Sequence, residues 1–120
     1  MTHEQPPHVI VLQTTLPDEE RAAALARALV ERRLAACVQR TAIRSTYRWE
    51  GLVEEADEVR LDAKTSPAAL PRLLAFLHAA HPYDEPEILI AEARASEGYA
   101  AWAAAETAGG TDGGTPAITP

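Results

Sequence analysis

Apolar positions along the chain alternate between short runs and a spacing of three to four. Val9-Ile10-Val11-Leu12 is a breaker-free run inside residues 8–14, too short for a helix and apolar on both faces, which predicts a central strand. From Ala22 the spacing lengthens: Ala22, Leu25, Ala26, Leu29 and Val30 fall on one helical stripe. Thr15 is the expected cap, Pro17 suits a first turn, and Asp18, Glu19 and Glu20 face the positive end of the dipole. Arg32 and Arg33 suit the opposite end.

A strand pattern returns over residues 34–40. Residues 43–50 and 53–64 then read as the arms of a hairpin around Gly51. In the second arm Val59, Leu61, Ala63 and Thr65 share one face and Arg60, Asp62 and Lys64 the other. Ser66-Pro67 predicts a second helix start, with Leu70, Leu73, Leu74 and Leu77 as its stripe and an irregular first turn at Pro71. The helix should end at His81, because a residue before proline disfavours the α region. A last strand is expected over residues 87–93 and a short helix over residues 97–107, carrying Tyr99 and Trp102.

The order strand, helix, strand, strand, helix, strand, with an added C-terminal helix, predicts an α+β fold, a ferredoxin-like βαββαβ sandwich with both crossover helices on one face. One domain is expected over residues 8–107, after a flexible lead-in (1–7) and before a disordered tail (108–120) rich in Gly, Thr and Pro. The first and last strands are apolar on both faces, whereas the helices cover one. Self-association is the expected cover for the other.

Composition narrows the function. The 120 residues carry 18 acidic and 11 basic side chains, a formal charge of -7, and no basic stripe, which argues against a nucleic-acid partner. No run of 18 apolar residues predicts a membrane span, and the N-terminus lacks a signal-peptide pattern, so a cytoplasmic setting is expected. The single cysteine, Cys37, excludes an internal disulfide. There is no glycine-rich phosphate loop and no Gly-x-Ser-x-Gly elbow. Neither an enzymatic activity nor an organic cofactor is expected.

Candidate chemistry centres on cations. Cys37 is the soft ligand of the chain, suited to copper or zinc, though a strand position between Ala36 and Val38 equally suits a small buried hydrophobe. His78 and His81 are three apart and share a helix face; His81 can instead satisfy the helix end. Asp84, Glu85 and Glu87 add oxygen donors beside His81, or form a solvated acidic turn. Glu54, Glu55, Asp57 and Glu58 form a second acidic run.

Three ordered stretches resemble the CutA divalent-cation tolerance family. They are residues 28–38 (ALVERRLAACV), residues 47–51 (YRWEG) followed by Glu58 and Lys64-Thr65, and residues 81–87 (HPYDEPE). The resemblance implies a PII-like homotrimer whose strands extend one another's sheets, with metal ions as partners and a response to divalent cations, copper above all. It makes Cys37, His81 and Asp84 the metal candidates and Tyr47, Trp49, Glu58, Lys64 and Tyr83 the ligand-binding candidates. It also carries an alternative, a PII-like regulatory module that binds a small anionic ligand between subunits through Lys64. Arg60 and Asp62 depart from a strand that is commonly apolar in the family, and are expected to be paired or exposed.

Overall fold

A computed structural model describes residues 5–109. Its elements are β1 (His8–Leu16), α1 (Glu19–Glu31), β2 (Cys37–Trp49), β3 (Leu52–Thr65), α2 (Leu70–Ala80), β4 (Leu89–Arg94) and α3 (Glu97–Glu106). The lead-in expected over residues 1–7 and the tail expected from residue 108 lie largely outside the described residues. The strands make one antiparallel sheet in the order β2-β3-β1-β4, so each helical crossover skips a strand. Leu12, Leu16, Leu61 and Ala63 meet Leu25, Leu29, Leu73 and Leu77 in one buried core.

Side-chain alternation along β3 sets the two faces. Val59, Leu61, Ala63 and Thr65 are all buried on the helix side. On the other side Arg60 and Asp62 are ion-paired at 3.2 Å within one strand, which lets two opposite charges sit half-buried without leaving either alone. Lys64 bonds the side chain of Gln39.

Local signals moved several boundaries. The cap of α1 is Asp18, not Thr15: its carboxylate accepts the Arg21 N–H at 2.8 Å, and β1 continues through Thr15 to Leu16. The expected strand start at residue 34 is three residues early, because the chain first closes α1. Arg33 has φ +60°, its N–H bonds the Val30 carbonyl, and the Leu34 N–H bonds the Leu29 carbonyl at 2.9 Å. This is a Schellman closure with arginine at the position usually given to glycine, and Leu34 and Leu29 supply its buried apolar contact. Arg32 stacks its guanidinium over Phe76, 5.2 Å from the ring centroid. Val30, placed on the α1 stripe by spacing, is exposed, and Phe76 joins the core of α2 instead.

The start of α2 lies at Leu70, with residues 66–69 in a turn held by the Ser66 carbonyl and hydroxyl. Pro71 forces this, as it tolerates only the first positions of a helix. The strand expected over residues 87–93 runs from Leu89 to Arg94.

The second sheet face is partly covered within the chain. α3 packs on β1 and β3, and its Tyr99 reaches Cys37, whose side chain alternates away from the core-packed Val38. Val9 is accordingly buried. Leu89 and Ile90 on the edge strand β4 stay 55% and 46% exposed, one on each face, so apolar surface is left unmet at that edge, as it is at Leu52 and Val53 on β3.

The sheet is also uneven in length. β2 and β3 pair along their whole extent, but β1 stops at the Leu16–Val59 pair. Residues 43–58 therefore continue as a two-stranded ribbon, and the molecule measures 54 × 30 × 21 Å. Its radius of gyration of 15.4 Å exceeds the roughly 13 Å of a compact domain this size. At the tip Glu50 and Gly51 have φ +50° and +83°, the two left-handed residues of a type I′ turn.

Two stability changes follow. Glu50→Asn should raise stability by roughly 0.5–1 kcal/mol by relieving a non-glycine left-handed residue. Leu34→Ala should lower it by about 2–5 kcal/mol through the cavity at the α1 closure. Urea unfolding midpoints read both, and an unchanged midpoint in either variant contradicts its assignment.

Candidate functional site

The ribbon and the segment between α2 and β4 enclose a cleft of about 690 Å³. The ribbon contributes Ser45, Thr46, Tyr47, Trp49 and Glu58, and β1 contributes Thr15. The facing segment contributes Pro82, Tyr83, Asp84, Glu85 and Glu87. Four carboxylates and three aromatic rings line it, with no lysine or arginine among them. Trp49 is 54% and Tyr47 43% exposed, so the aromatic wall is open to solvent.

Three side-chain contacts shape this cleft. The Tyr83 hydroxyl donates to Oε2 of Glu58 at 2.8 Å, tying residues 82–87 to the ribbon. Partial burial and the adjacent Glu58 charge raise the Tyr83 phenol well above its ordinary range, so it stays a donor. Gln13 Nε2 donates to Oε2 of Glu87 at 2.9 Å and fixes the far end of the segment on β1. Each bond occupies one carboxylate oxygen and leaves the second for another partner.

His81 is the hinge of the same segment. Its Nδ1 accepts the Tyr83 N–H at 3.1 Å, which puts the ring proton on Nε2, 3.0 Å from Thr14 Oγ1. The ring also packs on Tyr83 with centroids 5.2 Å apart. Burial lowers the His81 pKa from 6.5, against an upward pull from the Thr15 backbone. The neutral ring suits its two bonds, since a protonated Nδ1 cannot accept the Tyr83 N–H.

The structure thus gathers Tyr47, Trp49, Glu58, Tyr83 and Asp84, named separately from the sequence, at one cleft. It does not bring Cys37, His81 and Asp84 together. Cys37 lies on the second sheet face beside the Tyr99 hydroxyl, whereas His81 bonds Thr14, whose side chain points into the helix-side layer. Burial and the Cys37 contact raise the Tyr99 phenol. Lys64, bonded to Gln39 opposite Cys37, is also remote from the cleft. His78 is exposed on α2. Among the described residues no three His, Cys, Asp or Glu side chains converge as a ready metal cage. Thr15, Ser45 and Thr46 were missed by the sequence reading, because nothing local marks a hydroxyl as facing a cleft built from distant segments.

Comparison with known proteins places this arrangement. The family described as CutA1 divalent ion tolerance protein matches residues 10–106. The Divalent-cation tolerance protein CutA of Thermus thermophilus is 48% identical over 80 residues, 66% of this chain and 78% of that protein. The solved CutA structure from Synechococcus elongatus superposes with a TM-score of 0.83 at 35% identity, covering 88% of this chain and 95% of that one. A structure from Archaeoglobus fulgidus, described as a periplasmic divalent cation tolerance protein CutA, gives a TM-score of 0.78 at 30% identity over 83% and 98% of the two chains. The fold is thus that of the α+β proteins named for divalent-cation tolerance. The chain belongs to the CutA1 divalent ion tolerance family. Its relatives carry the name of tolerance proteins rather than of enzymes. No helix among the described residues is long and apolar enough to cross a membrane.

The His81 geometry has a pH signature. The folded state binds this proton less readily than the unfolded chain, so the ring's contribution is complete above its ordinary value of 6.5 and fades as pH falls through that value. His81→Asn, which keeps an acceptor but does not titrate, should lose less stability than the parent between pH 7.5 and 5.5. Equal losses in urea midpoint would contradict the assignment. Tyr83→Phe should cost roughly 1 kcal/mol, the net value of one hydrogen bond.

Proposed function

We propose that the chain is a ferredoxin-like subunit of a PII-like homotrimer that serves divalent-cation tolerance in the cytoplasm by binding copper or a similar divalent cation. The observation that carries the cation-binding part is the charge of the cleft: Glu58, Asp84, Glu85 and Glu87 line it and, among the described residues, no basic side chain does. Such a lining concentrates cations at a chain already carrying a net charge of -7. The names of the family and of its relatives point the same way. A single free thiol and no disulfide suit a reducing compartment.

In this reading Asp84 and its neighbouring carboxylates are the first ligands. The shell is completed by water or by donors of a second copy, since three donors do not converge among the described residues of one chain. Cys37 and His81 are secondary soft-metal ligands. An ion at His81 would take one of its two ring bonds, and one at Cys37 would displace Tyr99. Self-association is supported by the exposed edge of β4 and the unpartnered ribbon, which in a homotrimer would cover one another. The sign of the cleft disfavours the alternative of a small anionic ligand, and Lys64 stands elsewhere.

Native mass spectrometry of chelator-treated protein should show a trimer. Titration with zinc or copper should then give uptake that Asp84→Asn with Glu85→Gln weakens at least tenfold and Cys37→Ala alters less than twofold. Uptake abolished by Cys37→Ala and untouched by the carboxylate pair would move the site to the thiol.

A further inference from the structure

The carboxylates of the cleft explain an attraction for cations in general, but they do not account for its aromatic wall. Tyr47, Trp49 and Tyr83 line the same space as Glu58. Aromatic faces add nothing to a hydrated metal ion that oxygen donors do not already supply. They do attract an organic ammonium group, whose low charge density and apolar substituents favour the ring face. The size agrees, since 690 Å³ is many times the volume of a coordinated ion and lies within the range of small-molecule sites. The polar geometry agrees as well. An ammonium group needs one carboxylate and a ring face, whereas a metal ion needs several donors converging within about 2–2.6 Å, and no such convergence occurs among the described residues. Glu58, with one oxygen held by Tyr83, keeps the second for a ligand in the cleft that Tyr47 and Tyr83 also line.

We propose that the cleft between the ribbon and residues 82–87 binds a small organic cation, an alkylammonium or polyamine, with Glu58 as counter-ion to one ammonium beside Tyr47 and Tyr83, and with Trp49, six strand positions nearer the ribbon tip, as the ring face for a second. This extends the cation-binding reading of the same cleft to a second ligand class, and it needs no metal. The bond from Tyr83 holds Glu58 in place as a pre-formed acceptor. Asp84, Glu85 and Glu87 at the other wall would engage the further amines of a polyamine, which gives longer amines the higher affinity.

The test uses the full chain in its native assembly, with chelator present. The chain has two tryptophans. Trp102 lies on α3 against Tyr99, outside the cleft, so Trp102→Phe leaves Trp49 as the reporter. Titrating this variant with tetramethylammonium and with spermidine should change the Trp49 emission saturably, with spermidine binding more tightly and more salt-dependently. Calorimetry on the parent should give the same order. Trp49→Ala should weaken spermidine binding about fivefold, and Glu58→Gln about tenfold. Zinc uptake with no response to either amine would overturn this inference and leave the metal reading standing. Amine binding without metal uptake would do the reverse, and silence toward both would remove both. A blue-shifted Trp49 emission that no amine alters would show the aromatic wall sealed in the assembly, which also overturns it.

Discussion

The Tyr83–Glu58 hydrogen bond is the contact on which the shape of the cleft depends. The ribbon of residues 43–58 runs beyond the point where β1 stops, so among the described residues it has no third strand to support it. Two-stranded ribbons are marginal in water. One phenol–carboxylate bond at 2.8 Å joins it to the segment after α2, and that segment is in turn seated on β1 through His81 and Glu87. The three contacts tie the ribbon, the loop and the central strand into one cleft. Without them the carboxylates would be separate acidic patches.

The cleft also shows how an acidic site persists without collapsing on itself. Glu58 and Glu87 each have one oxygen held by an uncharged donor, so repulsion among neighbouring carboxylates is offset without a basic partner that would cancel the field. On the neighbouring strands several charges are neutralised locally. Arg60 meets Asp62 on the same strand, and Arg44 meets Asp57 and Glu55 across the ribbon. Four carboxylates, none of them in an ion pair among the described residues, line the place where residues 82–87 face the ribbon, which is the physical basis for proposing cation binding there.

Much of the fold was legible in the chain. The alternation of Val59, Leu61, Ala63 and Thr65 gave the core face of β3, and His81-Pro82 ended α2 where expected. The failures share a cause. The Asp18 cap, the left-handed Arg33 and the exposed Val30 depend on how α1 docks, and spacing along a helix reports periodicity, not docking angle. The cover that α3 gives the second face was hidden because its buried residue is Ala103, and a helix of alanines leaves little apolar signal. For the site, the family-like motifs pointed to Tyr83 and Glu58, and residue type to Asp84, but neither gave their partners. Cys37 and His81 are chemically compatible ligands that the sheet separates onto different faces, a fact that lies in strand parity and the crossover, not in either motif.

Anomalous diffraction from crystals grown with zinc, or with manganese for the harder case, tests the central claim most directly. The account predicts a peak in the cleft, within coordination distance of Asp84 or an adjacent carboxylate, with Tyr83 still bonded to Glu58. A sole peak at Cys37, with the cleft free of anomalous density at saturating metal, would contradict it.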